Sequence, residues 1–369
     1  MKSGLRMTPK SMCVIWFEKS GEASGGEAVR GIMKTSVVRI GIAGCGMAAR
    51  IHLDRLLSLE GVAIVGCADP DLSAATALAD RATAGGVTTG GGTPSPAFDD
   101  HRELLRRAAP DALAIFSPHR AHYRQSMDAL QAGCHVFIEK PLSTNLQEAA
   151  DIVSLARARD LKVGVGHQFR LCPSLIEARD RIARGAIGPL RLVTCILARP
   201  WLTTLGEDEK TWRSSAELVA GGILADAGDH LIDALLWTTG QVAVEAAAIQ
   251  NQTDSGIDLV TAASMRLADG TPVSLAISGV SPGILFALDY FGELGRLHVT
   301  EQTLEEERFD TPRRDIALPL PSQTIDGNFV AALANGFPLC CPADQALDTV
   351  RLLEAIARSA ATGQIVRLI

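Results

Sequence analysis

The sequence predicts an α/β protein: an N-terminal Rossmann-type doubly wound parallel sheet, followed by an α+β domain with a large, mostly antiparallel open sheet. Three observations carry this. From residue 37 to 166, apolar strand-like runs alternate with helical spacing, which implies βαβ units and a parallel sheet covered on both faces. Gly44-x-Gly46-x-x-Ala49 stands between the first strand and the first helix. Beyond about residue 170, strand-like runs follow one another at short intervals, as antiparallel hairpins do. A chain of 369 residues also exceeds what one compact core usually holds.

Residues 38–43 (VRIGIA) read as a buried strand, 44–59 as a loop entering a helix, 62–68 as a second strand and 72–82 as a helix. The Gly/Thr/Pro-rich stretch 84–96 breaks the rhythm. No strand precedes it and no Lys-Ser/Thr follows, so it reads as a surface loop rather than a phosphate loop. Strands at 112–116 and 135–138 alternate with helices at 120–132 and 146–159, the latter capped by Thr144 or Asn145, and 162–166 is a further strand. A helix at 174–184, a strand at 190–198, a loop and a helix starting near Gly222 come next. Strands are expected at 242–250, 259–267, 273–278, 285–291 and 296–299, with Asp269-Gly270 as a hairpin turn, and closing helices at 327–335 and 344–362. The expected divisions are a disordered or misassigned extension at 1–35, a Rossmann domain at 36–160 and an α+β domain at 161–369.

Composition narrows the function. Hydrophobic residues at 47% against 21% charged exclude a largely disordered chain. A formal charge of -7 gives no bulk attraction to nucleic acid or anionic lipid, and no apolar run approaches the roughly 18 residues that span a bilayer. The eight cysteines form no C-x-x-C pair, which fits small buried hydrophobes in a reducing, cytoplasmic setting.

In the glycine motif, Gly44 permits a tight turn, Gly46 lets a pyrophosphate approach the backbone, and the helix N-terminus, with Met47 and Ala48, faces the phosphate charge. Asp69 ends the second strand, where a carboxylate accepts both adenosine ribose hydroxyls. Asp71 follows and no arginine is near to neutralise a 2′-phosphate, so NAD is expected over NADP. Lys140, in Glu139-Lys140-Pro141, ends another strand at the ligand-binding edge. Asp226 and His230 stand four apart on an expected helix, where an Asp fixes an imidazole's tautomer and raises its basicity. Asp229 and Asp233 form a second such pair, and no metal site is expected. An exposed lysine and a helix-surface ion pair are the competing structural readings.

Together these features resemble the glucose–fructose oxidoreductase and inositol dehydrogenase family, the Gfo/Idh/MocA oxidoreductases. The carriers are IGIAGCGMAARIHL, SPHRAHYRQSMDALQAGCHVFIEKPLS, GHQFRLCPSL, TWRSSAELVAGGILADAGDHLID and ALDTVRLLEAIARSAATGQIVRL. The resemblance implies that Lys140, Asp226 and His230 carry catalysis, with Asp226 orienting His230. It implies that Ser117, Pro118, His122, Glu139, Gln168 and Arg170 lie near the cofactor. It further implies NAD binding by the Rossmann domain, a sugar, cyclitol or polyol substrate bound by the α+β domain, and a homodimer or homotetramer formed through the C-terminal sheet. Trp201, Trp212 and Arg213 precede the catalytic helix and are candidates to shape the substrate pocket. Two departures stand out: the segment 84–96 replaces the family's usual third strand, and His119 stands where Asn is common. Two other activities stay open: glycosidic cleavage with transient redox at bound NAD, and a non-enzymatic dinucleotide sensor.

Overall fold

The computed structural model describes residues 37–86, 94–201, 221–254 and 256–368. The expectations for 1–35, Trp212 and Arg213, and most of the glycine-rich stretch, lie outside these residues. The first layer is a six-stranded parallel sheet in the order β3-β2-β1-β4-β5-β6. Its strands are β1 (Val38–Ala43), β2 (Val62–Ala68), β3 (Ala97–Phe98), β4 (Ala112–Ile115), β5 (His135–Ile138) and β6 (Val163–Val165). Helices α1 (Met47–Leu57), α2 (Leu72–Ala84), α3 (His101–Ala108), α4 (His122–Gln131) and α5 (Leu146–Ala158) connect them. Every residue of β2 is buried, as expected of a central parallel strand covered on both faces. Ile40, Ile42 and Ile64 are at most 1% exposed, and each stabilises the fold by roughly 1.5–3 kcal/mol.

The sequence reading passed over β3 and α3. The third strand is present: Ala97 and Phe98 pair with Cys67 and Ala68 directly after the glycine-rich stretch, so that stretch does not replace it. Asp100 caps α3 by accepting from the Arg102 amide at 2.7 Å, and Leu104 and Leu105 turn inward.

After α6 (Pro173–Ala183) comes a nine-stranded sheet. It comprises β7 (Leu190–Ala198), β8 (Ala243–Gln252), β9 (Asp258–Leu267), β10 (Pro272–Ser278), β11 (Leu285–Gly292), β12 (Gly295–Val299), β13 (Leu304–Arg308), β14 (Thr311–Asp315) and β15 (Val366–Arg367). Its order is β14-β13-β12-β11-β7-β10-β9-β8-β15, and the β7–β10 pair is parallel among otherwise antiparallel neighbours. Strict buried–exposed alternation along β10 leaves one face of this sheet to solvent. Helix α7 (Asp229–Thr239) follows a single π-helical turn at Leu224–Gly228.

The chain then returns to the first layer. Ile325, Phe329 and Val330 of α8 (Ile325–Asn335) belong to the cluster that holds Ile42, Leu53 and Phe137. Cys341, Ala343, Ala346 and Val350, mostly on α9 (Ala343–Thr362), pack with Ile138, Ile152 and Val165. Two helices thus cross the expected division at residue 160.

Candidate active site

The strand order reverses between β1 and β4, so a crevice opens beyond their carboxyl ends. Gly44 lies there at φ +85°, and a Cβ would fall 2.5 Å from the Ser117 amide nitrogen. Gly46 starts α1 with no side-chain cap, and a Cβ added to it would meet nothing within 4 Å. The first turn of α1 therefore keeps amides and an open approach for an anion. Met47 is exposed and Ala48 half-buried beside them. Asp69 is fixed at the end of β2: Oδ2 accepts from the Cys45 amide at 2.8 Å and Oδ1 from the Asp71 amide at 2.9 Å. Each oxygen retains a lone pair for a ribose hydroxyl. Asp71 itself caps α2 through Ser73. This set of groups fits a dinucleotide.

Ser117 and Pro118 are half-buried beside the crevice, and the Ser117 hydroxyl donates to Gln125 at 2.6 Å. His122 is 0% exposed, with Nδ1 2.8 Å from the Pro141 carbonyl and Nε2 2.9 Å from the Ser117 carbonyl. It braces the Ser117 loop against the turn after Lys140 and has no surface to offer a cofactor, which corrects that expectation. Gln168 is half-buried on a short turn. Arg170 is 3% exposed and grips Asp233 through Nε at 2.9 Å and Nη2 at 2.7 Å, with Nη1 on the Cys340 carbonyl and Gln345. Its fork is spent on α7 and α9 rather than on the crevice.

Lys140 follows β5 and donates to both the backbone carbonyl and the carboxylate of Asp226, the latter at 3.0 Å. The other Asp226 oxygen accepts from Trp201 Nε1 at 2.7 Å. Asp226 therefore serves Lys140, and the expected Asp226–His230 pair is not formed. The reason is the wider winding of the π-helical turn, which removes the four-residue register between them and turns Asp226 toward Lys140. The mouth of that turn is clamped by Asp258, whose oxygens accept the Gly222 and Leu224 amides at 2.6 and 2.8 Å. Only glycine fits at 222, because a Cβ would fall 2.1 Å from the Asp258 carbonyl oxygen.

His230 Nδ1 is buried with no hydrogen-bond partner among the described residues. Packing holds the ring: it stacks on Phe169 at 4.8 Å and 26°, and Phe169 meets Phe286 edge-on. Burial, and then the Lys140 charge, push its pKa down to about 3. The imidazole is neutral near pH 7, with basicity lowered rather than raised.

Asp229 and Asp233 do not pair with each other. His167 Nε2 bonds Asp229, while its Nδ1 lies 3.2 Å from Cys341 Sγ and 3.3 Å from Asp233. Burial opposes a charge on His167, but Asp233 and Asp229 outweigh it and hold its pKa well above the ordinary range. His167, Asp233 and Cys341 bring possible metal-ligand atoms within 4.8 Å of one another. Each Asp233 oxygen also accepts from the Arg170 fork, so His167 and Arg170 face the Asp229 and Asp233 carboxylates.

A third buried group was not foreseen. His52 of α1 lies between Asp326 of α8 and Glu139, at 2.6 and 3.0 Å. Arg55 joins Asp326 at 3.3 Å. Sequence reasoning missed His52, Asp326, His167 and Asp258. The one available signal was that His52 shares the buried face of α1 with Ala49, Leu53 and Leu56.

Comparison with known proteins gives the family and the fold. Residues 38–167 match the oxidoreductase family with an NAD-binding Rossmann fold, and residues 175–298 match the GFO/IDH/MocA C-terminal domain. The chain belongs to the Gfo/Idh/MocA family of oxidoreductases. The Escherichia coli D-glucoside 3-dehydrogenase is 28% identical over 59% of this chain and 58% of its own length. The chain thus matches less than two thirds of that relative's length. The Streptomyces violaceoruber dTDP-3,4-didehydro-2,6-dideoxy-alpha-D-glucose 3-reductase is 29% identical over 74% of each chain. The WlbA dehydrogenase from Bordetella pertussis, solved with NADH and UDP-GlcNAcA, has the same fold with TM-score 0.76 and 23% identity, over 90% of this chain and 99% of its own. No described helix is long and apolar enough to cross a membrane.

Proposed function

We propose that this protein is an NAD-dependent dehydrogenase or reductase acting on a hydroxyl or carbonyl carbon of a sugar, cyclitol or related polyol. The observation that carries the reading is the meeting of Lys140, at the carboxyl end of β5, with the Asp226–His230 segment from the other layer. The sugar-directed names of two relatives support the substrate class.

A nicotinamide dinucleotide bound at this edge supplies the hydride acceptor or donor. The amides of α1 bind its phosphates, and Asp69 takes the ribose hydroxyls while opposing a 2′-phosphate. In this reading His230, neutral in the unliganded site, takes the substrate hydroxyl proton. Lys140 donates a hydrogen bond to that oxygen as negative charge builds. Asp226 keeps Lys140 aimed, and Trp201 keeps Asp226 in place. The reading also assigns a cytoplasmic location and pairing of copies through the open face of the nine-stranded sheet.

The test is a panel of cyclitols, aldoses, amino-sugar derivatives and dihydrodiols, followed at the reduced-cofactor absorbance band. NADH accumulates with at least one of them, and kcat/KM is higher with NAD than with NADP. Lys140→Ala and His230→Ala each lower kcat by about 100-fold or more while NAD affinity stays nearly intact. Unchanged turnover in either variant removes that residue from the mechanism. Release of an aryl glycoside's leaving group without NADH would establish the hydrolytic activity instead.

A further inference from the structure

We propose that His52 is a positioning residue for the catalytic lysine, a buried histidine that locks the Glu139 side chain under the Lys140 backbone and ties both to helices α1 and α8. The inference rests on the oxidoreductase reading and deepens it.

Both ring nitrogens of His52 face carboxylate oxygens, Asp326 Oδ1 at 2.6 Å and Glu139 Oε1 at 3.0 Å. An ionised carboxylate only accepts, so both nitrogens carry hydrogens and the ring is a cation. The charged groups around it are Glu139 from the end of β5, Asp326 from α8, Arg55 from its own helix and Lys140 next to Glu139. The residue is 5% exposed, and its ring lies flat on Phe116 at 4.4 Å and 17°. Burial works against the charge, but Asp326 and Glu139 outweigh it and hold the pKa at about 9.

The second Glu139 oxygen accepts the Lys140 backbone N–H at 3.1 Å. On its remaining side Glu139 abuts Gly166, where a Cβ would fall 2.8 Å from Oε1. His52, the Lys140 amide and the Gly166 backbone together leave the Glu139 carboxylate one position. The amide held there belongs to the residue whose ammonium reaches Asp226. A strut between α1 and α8 would need only the contacts to Asp326, which Arg55 also makes. The bond to Glu139 lies outside that task and points at Lys140. Misplacing a catalytic group by about 1 Å costs roughly 100-fold in rate, so a loosened support is measurable.

The experiment uses the full chain and three variants: His52→Gln, Asp326→Asn and Lys140→Ala. Lys140 reactivity is read by limited acetic anhydride labelling and peptide mass spectrometry between pH 7 and pH 10, with Lys162 as internal reference. Turnover is read on the best substrate of the panel, NAD affinity by titration, and folding by circular dichroism. His52→Gln is expected to raise Lys140 labelling about tenfold relative to Lys162 and to lower kcat about tenfold, with NAD affinity within about threefold. Asp326→Asn keeps the side-chain shape and removes one charge facing His52. It should move the alkaline rise in Lys140 labelling to lower pH by about one unit, whereas a strut would shift only the melting temperature. Wild-type labelling, pH profile and kcat in both folded variants would overturn the proposal. If Lys140→Ala keeps full turnover, the functional reading fails, and the labelling data still judge the link from His52 to Lys140.

Discussion

His230 and His52 are both buried histidines, and their surroundings set opposite charges. His230 faces the Lys140 cation and is neutral; His52 faces two carboxylates and is charged. Removing the Lys140 charge should therefore raise the His230 pKa. Selective histidine labelling and NMR titration of Lys140→Met should show His230 moving up from about 3 toward, without reaching, 6.5, because burial persists. An unchanged titration would mean that burial alone sets it. At this scale the motifs pointed to three residues that the structure brings near one another, and to one pairing that is not formed. Lys140, Asp226 and His230 were legible from their motifs, but a 3.6-residue period cannot report a π-helical turn. The role of His52 was not legible, since its partners lie 87 and 274 residues away.

The π-helical turn works as an element because Asp258 holds its mouth and Gly222 lets β9 approach. Asp258→Ala leaves two buried amides without acceptors and should cost about 1–3 kcal/mol in urea unfolding. It should also lower kcat, because the turn that aims Asp226 at Lys140 loses its anchor; unchanged kcat in the folded variant would mean that Asp226 holds its place without Asp258. The elements read correctly were those with a clear pattern, such as the unbroken apolar run of β2 and the alternation of β10. The β3–α3 pair was missed because a two-residue strand has no period and the glycine-rich stretch hides the approach to it. Strand β14 is exposed at every residue, so no apolar face marked it.

For the whole molecule, the same histidine links pH to stability. The folded pKa of His52 lies above its unfolded value of 6.5, so its contribution is complete below pH 6.5 and is lost as pH rises through about 9. The shift corresponds to roughly 3 kcal/mol, shared with Asp326 and Glu139 as one cluster and not counted twice. Urea midpoints of the wild type should fall between pH 6.5 and pH 9.5, and the fall should flatten in His52→Gln. An equal slope in both would assign the effect to other groups. The two-layer architecture was legible from the alternation of strands and helices. The return of α8 and α9 to the first layer was not, because amphipathic helices do not declare which sheet they will cover. That return has a consequence for biosynthesis. While the polypeptide leaves the ribosome, the first sheet waits for Phe329 on one face and for Ala346 and Val350 on the other, so each face of the nascent Rossmann half keeps bare apolar surface until α8 and α9 have emerged.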